Sequence, residues 1–310
     1  YGSQARIQEI QKVLYMRVVR LVSRMPRCRI WLHGRHVRRR PAMLEGPRLV
    51  NQAQRRLFLI RTLLEEHGES SLTKIPEEET KQRELLRALM NTRMPKPLTP
   101  DILAIQDAYL QQRLIERGGV TSARTLNYRN RIALWRGDIT LLAADAVVNA
   151  ANDQMLGCFV PGHHCIDNAI HTFAGMQLRA ACGKLMRSQG HPEPAGHVKV
   201  TPAFNLPSRF VFHTVGPIVA NGHPSDTDEL LLRQCYERCL TAATERHLDT
   251  IAFCCISTGV FGYPQRDAAC IALDTVTSYL QENDPHLKVI FDVFLPSDEA
   301  IYRELLGANR

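Results

Sequence analysis

The spacing of apolar residues changes character partway along the 310-residue chain. Leu57, Ile60, Leu63 and Leu64 recur at helical spacing and predict a helix over 50–67. A second pattern opens at Pro76, with Glu77, Glu78 and Glu79 at its positive end and Leu85, Leu86 and Leu89 on its apolar face. The proline-rich run 95–100 interrupts the chain. Thr99 then caps a third helix carrying Ile102, Ile105 and Tyr109 on one face, which stops at Gly118-Gly119. Beyond that point the pattern alternates. Short apolar runs at 132–135, 146–149, 198–203, 210–215, 250–256 and 288–295 read as strands. Helical patterns at 166–187, 228–247, 266–282 and 298–306 lie between or after them, and Ile166, Ile170, Phe173, Met176 and Ala180 form the apolar stripe of the first. Such alternation predicts an α/β fold with a mostly parallel sheet between helices. No internal repeat is visible.

Composition changes this picture only at the N-terminus. No stretch approaches the roughly 20 apolar residues of a membrane-spanning helix, so no membrane role is expected. The net charge is +8. Twelve Arg or Lys and two Glu fall within residues 1–50, a net of +10, which leaves −2 for the rest. Basicity is therefore poor evidence that the folded part binds nucleic acid, and only Tyr15 and Trp31 interrupt the arginines as stacking surfaces. Residues 1–47 have the composition of an organelle transit segment, a disordered basic tail or an arm for nucleic acid or membrane, with Met16 and Met43 as candidate starts. The nine cysteines include an adjacent pair in an apolar run (254, 255) and a helical pair (235, 239), which predicts buried thiols in a reducing, intracellular compartment. A cytoplasmic location is expected, with a mitochondrial one as the alternative that the basic start raises.

Three motifs carry chemistry. The densest is the run from Gly157 to Asn168, in which Cys158, His163 and Cys165 form C-x4-H-x-C beside glycine and proline. Thiolate and imidazole at this density favour zinc over hard cations. A structural four-ligand site would need a distant ligand such as His171, Cys182 or Cys254. Three ligands with an open position, as in catalytic zinc sites, is the better reading. By spacing alone His164 is interchangeable with His163. Asp167 follows where a helix begins; it can orient a hydroxyl or act as a base, or simply complement the helix dipole. The second motif is Gly137-Asp138-Ile139-Thr140 followed by a strand ending in Asn149-Ala150-Ala151-Asn152, small and amide residues at a strand's carboxyl end. The third, Ser257-Thr258-Gly259-Val260-Phe261-Gly262, lies between a strand and a helix and makes a candidate phosphate cradle. It is neither a Walker loop nor G-x-G-x-x-G.

In this order the motifs resemble a macrodomain, the α/β module that binds ADP-ribose. The loop resembles the zinc-containing, sirtuin-linked subclass, whose signature G-C-F-x-P-x-H-x-C-I-D is matched at every fixed position from Gly157 to Asp167 and selects His163 over His164. Asp167-Asn168-Ala169-Ile170-His171 and His213-Thr214-Val215-Gly216-Pro217 are similar to that subclass as well. The resemblance spans about 50–310, with 48–119 as a helical segment packed on a macrodomain over 120–310; the Arg-rich start has no counterpart. It implies a zinc-dependent hydrolase that removes mono-ADP-ribose from acidic side chains of proteins. Asp138 and Ile139 would take the adenine. Asn149, Asn152, Cys165, Ile166 and Asp167 would surround the distal ribose, with Asp167 and Asn152 catalytic. The stretch from Ser257 through Thr258, Gly259 and Val260 to Gly262 would wrap the pyrophosphate, with Phe261 against the ribose. Implied partners are ADP-ribose and an ADP-ribosylated protein, a lipoyl-carrier protein in bacterial members; nucleic acid is not an expected partner. A non-catalytic reader with structural zinc and an O-acetyl-ADP-ribose deacetylase are the alternatives.

Overall fold

The computed structural model describes residues 51–68, 74–283 and 286–308. The basic segment 1–47 lies outside these residues. The chain divides into two compact units. One contains the described residues up to Thr92 with Thr99–Tyr109 and Phe159–Gly162; the other contains Arg93–Leu98, Leu110–Cys158 and the chain from His163 onward.

The first unit holds α1 (Gln52–His67), α2 (Glu79–Thr92) and the start of α3 (Pro100–Glu116). Asn51 caps α1 in a reciprocal box with Gln54, and Gly68 closes it in the left-handed conformation. Ile60, Leu63 and Leu64 of α1 and Leu85, Leu86 and Leu89 of α2 are buried, as their spacing predicts, whereas Leu57 is only half-buried and Leu59, outside the predicted stripe, is buried instead. Thr99 Oγ1 accepts from the Ile102 amide at 3.4 Å, so the expected cap of α3 is present.

The second unit is built on a six-stranded sheet. Two short strands, β1 (Thr121–Ser122) and β3 (Leu142–Ala143), pair separately. The main strands are β2 (Ile132–Arg136), β4 (Ala146–Ala150), β5 (Val198–Pro202), β6 (Phe210–Thr214), β7 (Thr250–Phe253) and β8 (Lys288–Val293). Their order is β2-β8-β7-β4-β6-β5, and every pairing is parallel except β5 with β6. Helices α4 (Ile166–Ala174), α5 (Met176–Gln189), α6 (Asp226–Thr244), α7 (Gln265–Glu282) and α8 (Pro296–Ala308) flank it. Central parallel strands are covered on both faces, which is why β4 and β7 are apolar at successive positions, Ala146 to Val148 and Ile251 to Phe253, rather than at alternate ones. The edge strand β5 ends in Pro202, where no ladder donor is needed. Val147, Val148, Phe212, Ile251, Phe253, Ile290 and Phe291 are at most 1% exposed and form the core.

Two expectations need correction. The single helix over 166–187 is two helices, because Gly175 adopts φ +97 and ψ 168 between them. The apolar run 250–256 remains a strand only to Phe253; Cys254 to Ile256 already belong to the loop above it. Among the described residues all eight cysteines are free thiols, and no helix is long and apolar enough to cross a membrane.

Candidate functional site

Parallel strands β2, β8, β7, β4 and β6 all point their carboxyl ends to the same edge, so the loops that follow them share that edge. The loop after β2 starts with Gly137 and Asp138, and the one after β4 runs from Ala151 to Cys165. The loop after β7 carries the 257–262 motif. This topology gathers the three predicted motifs.

The loop after β4 ends where Cys165 caps α4, its Sγ accepting from the Asn168 amide at 3.4 Å. Cys158 Sγ and His163 Nδ1 stand 3.6 Å apart. Together with Cys165 Sγ these ligand atoms lie within 4.8 Å of one another. Zinc bonds of about 2.1–2.3 Å in a tetrahedron separate ligand atoms by roughly 3.5–3.8 Å, so the group could hold one zinc ion with modest tightening. The donor chemistry agrees. Hydrogen bonding with Cys158 and burial push the Cys165 thiol far up, so the pair resists carrying two thiolates unless a cation is shared between them. His164 is exposed and lies outside this group.

The loop is held from behind. Arg179, buried on α5, donates to the Leu156 carbonyl at 2.6 Å, the Cys158 carbonyl at 3.5 Å and the Arg93 carbonyl at 2.7 Å. Burial lowers its guanidinium to about 10 against the pull of Asp167 and Cys158, both anionic groups when ionised. Gly157 has φ +79, and a Cβ there would fall 2.7 Å from the His171 ring. Only glycine fits this approach. Within the first unit, the Gly162 amide donates to Asn91 Oδ1 at 3.0 Å.

Asp167 sits in the first turn of α4, 5% exposed. Asn149 Nδ2 donates to its Oδ1 at 2.8 Å, and Asn152 Nδ2 to its Oδ2 at 3.3 Å and to the Gly157 carbonyl at 3.2 Å. Burial pushes the Asp167 carboxyl up to about 7, with the Asn149 hydrogen bond pulling the other way. Asn149 itself is fully buried and stands behind Asp167, whereas Asn152 is half-buried. The predicted Cys165, Ile166, Asp167 and Asn152 are thus brought together at one point.

His171, Cys182 and His213 form a second, fully buried group of possible ligands, which includes two of the distant partners that sequence spacing left open for a four-ligand site. It is organised by hydrogen bonds. Asn149 Nδ2 faces His213 Nδ1 at 3.1 Å, which makes Nδ1 an acceptor and puts the ring proton on Nε2, toward Thr201 Oγ1 at 2.9 Å. Both ring nitrogens of His213 are engaged, so no lone pair there faces a metal. Burial drives the His213 ring down to about 3 and the His171 ring well below its ordinary value, so both are neutral.

The loop after β7 turns on Ser257, a non-glycine residue at φ +65 whose Oγ is buried without a partner among the described residues. Gly216 makes room for it, since a Cβ there would lie 2.0 Å from Ser257 Oγ. Thr258 Oγ1 donates to the Cys255 carbonyl at 3.1 Å and the Gly262 amide to the Gly259 carbonyl at 3.0 Å. The Val219 amide donates to the Phe261 carbonyl at 2.7 Å, joining the loops after β6 and β7. Gly259, Val260 and Gly262 are exposed, Val260 at 82%.

At the other end, Asp138 caps a short 3-10 turn and is half-buried, while Ile139 is buried. Sequence reasoning missed two neighbours. Asp292 on β8 is buried; burial, with Asp138 close by, raises its carboxyl well above the ordinary range against the opposing pull of the Gly137 amide. Its alternation within an apolar strand was a signal, because an acid inside a central strand requires a reason. Arg117, at the end of α3, donates to Asp138 Oδ2 and Thr140 Oγ1. A cation before a Gly-Gly stop reads as dipole compensation, so nothing in the sequence marks it.

The sheet order and the loops gathered at its carboxyl edge are those of a macrodomain, and residues 148–272 match the Macro domain family. The chain belongs to that family. It is 48% identical over 262 residues to a protein-ADP-ribose hydrolase of Treponema medium, covering 83% of this chain and 100% of that protein. A protein-ADP-ribose hydrolase of Staphylococcus aureus (strain MRSA252) is 42% identical over 254 residues, covering 81% and 95%. Among solved structures, the Trypanosoma brucei macrodomain in complex with ADP-ribose is similar at 30% identity, with a TM-score of 0.55 over 75% of this chain and 97% of that one.

Proposed function

We propose that the chain is a protein-ADP-ribose hydrolase that releases mono-ADP-ribose from acidic side chains of modified proteins, with zinc held by Cys158, His163 and Cys165. The observation that carries this reading is the junction at the start of α4, where the metal-ligand group, a buried carboxyl (Asp167) and a half-exposed amide (Asn152) meet. Likeness over 83% of this chain, and the whole of the other, to a protein named for this activity supports the same reading.

The reaction breaks the bond between the anomeric carbon of the distal ribose and the acceptor carboxylate. Water must lose a proton as it adds, and the carboxylate leaves as an anion. Asp138 and Ile139 take the base, and the amides from Ser257 to Gly262 hold the pyrophosphate, as the near-neutral charge of residues 51–310 requires. Asn152 and Asp167 orient the distal ribose, and Asp167 receives the proton at its carboxylate. Asn149 fixes the plane of that carboxylate from behind. Zinc, when bound, supplies a Lewis acid toward a ribose or water oxygen, softened because two thiolates leave the site formally neutral.

The test combines metal analysis with release of ADP-ribose from Asp/Glu-linked, Ser-linked and Arg-linked proteins, an ADP-ribosylated lipoyl-carrier protein among them. Expected are about one zinc per chain and turnover of the carboxylate-linked form. Cys158→Ala should lose the metal and at least ~100-fold in hydrolysis while keeping most ADP-ribose affinity by calorimetry. Full activity in the metal-free variant would sink the role of zinc. Tight binding without any release would make the chain a reader instead.

A further inference from the structure

Asp138 has few free acceptor sites. An ionised carboxylate offers about four lone-pair directions. Oδ1 accepts twice from one residue, the Thr140 amide at 3.0 Å and Thr140 Oγ1 at 2.5 Å. Oδ2 accepts from Arg117 Nη2, which also donates to Thr140 Oγ1 at 2.5 Å. The hydroxyl therefore accepts a hydrogen bond from the guanidinium and donates its own to Oδ1, closing a ring of three groups. One acceptor direction is left, on Oδ2. The Asp138 side chain is 38% exposed, so that direction is open to a ligand, while Arg117 is only 12% exposed.

Arg117 is itself fixed. Its Cζ stands 3.3 Å from the centroid of the Phe173 ring, in the second half of α4. The stack sets the plane of the guanidinium, and the plane sets which Nη reaches Asp138. Lysine has no plane for the stack to set.

We propose that Arg117, stacked on Phe173, is a positioning residue for base selection: it leaves Asp138 a single, oriented acceptor that takes a 6-amino purine and rejects a 6-oxo purine. This rests on the reading of Asp138 as the contact to the base. An exocyclic amine donates to the remaining lone pair. A carbonyl at the same position sets oxygen against oxygen and leaves the carboxylate unpaired, the kind of mismatch that binding sites reject most strongly. With Arg117 gone, the carboxylate turns about its side-chain torsions and water fills the difference. Affinity for both bases then converges.

The test compares ADP-ribose with its hypoxanthine analogue by calorimetry on the full chain. The wild type should prefer adenine by about tenfold or more. Arg117→Leu should reduce that preference at least about fivefold, and Arg117→Lys and Phe173→Leu should fall between, since each keeps part of the arrangement. These two milder variants carry the test if Arg117→Leu fails to fold. An unchanged preference in the Arg117 variants, or an equal loss for both bases, overturns the proposal, because a merely structural residue would weaken both alike. Asp138→Asn separates the two layers of the argument. No preference in the wild type, or a preference that survives Asp138→Asn, means the reading of Asp138 has failed and Arg117 with it.

Discussion

Two glycines separate what the site does into parts that can be lost one at a time. Gly157 combines a left-handed backbone with a ring 2.7 Å from where a Cβ would be, so Gly157→Ala strains the loop that carries Cys158 by about 1–3 kcal/mol. Gly216 has no unusual backbone, yet a Cβ there would collide with Ser257 Oγ in the loop after β7. The expected outcomes differ. Gly157→Ala loses zinc and hydrolysis while binding ADP-ribose within about threefold of wild type. Gly216→Ala keeps its metal and loses at least about tenfold in ADP-ribose affinity. Metal analysis and calorimetry on the same two proteins check both, and parallel losses in the two would refute the division. Neither glycine stood out from sequence as a contact, because a glycine's need for space is set by a neighbour distant in the chain, here His171 and Ser257.

At the scale of elements, the sheet is tied at its amino edge by one side chain. Asp145, between β3 and β4, accepts from the Asp249 amide, the Thr250 amide and Thr250 Oγ1, each at 3.1 Å, and from Arg209 at 3.0 Å. Burial works to raise its carboxyl, but these hydrogen bonds outweigh it and hold the carboxyl below its ordinary value. A carboxyl depressed in the folded state stabilises above its unfolded value and loses that contribution as pH falls through the folded one. Asp145→Ala should therefore cost about 1–3 kcal/mol at neutral pH, with the melting curves of variant and wild type converging below about pH 4. A gap that persists in acid would mean packing, not charge, holds β7 to β4. Elements were largely readable in advance: each strand run and each helical stripe lies where its period predicts. What failed were ends and breaks. Phe253 and Cys254 are equally apolar, so hydrophobicity could not say where β7 stops, and Gly175 interrupts an amphipathic stripe that continues on both sides. The site was readable where its chemistry is local, as in Cys158, His163, Cys165 and Asp167. It was opaque where a residue acts from another element, as Arg117, Arg179 and Asp292 do.

For the whole molecule, charge separates into a strongly basic start and a slightly acidic remainder. If the remainder binds its ligand through loop amides and helix ends, the first residues contribute nothing to it. Removal of residues 1–47 should leave ADP-ribose affinity within about twofold and its salt dependence shallow. Calorimetry at 50 and 200 mM salt measures both; a large loss on truncation would bring the basic segment into the site. Helix α4 has a consequence of its own. On the proposed reading, Asp167 in its first turn serves the ribose end and Phe173, six residues on, serves the base end through Arg117, about 9 Å apart along one rigid axis. The helix is a ruler with a fixed mark at each end. A ligand with an extra phosphate between its two riboses is mismeasured by it, and can seat its base or present its anomeric carbon, but not both at once.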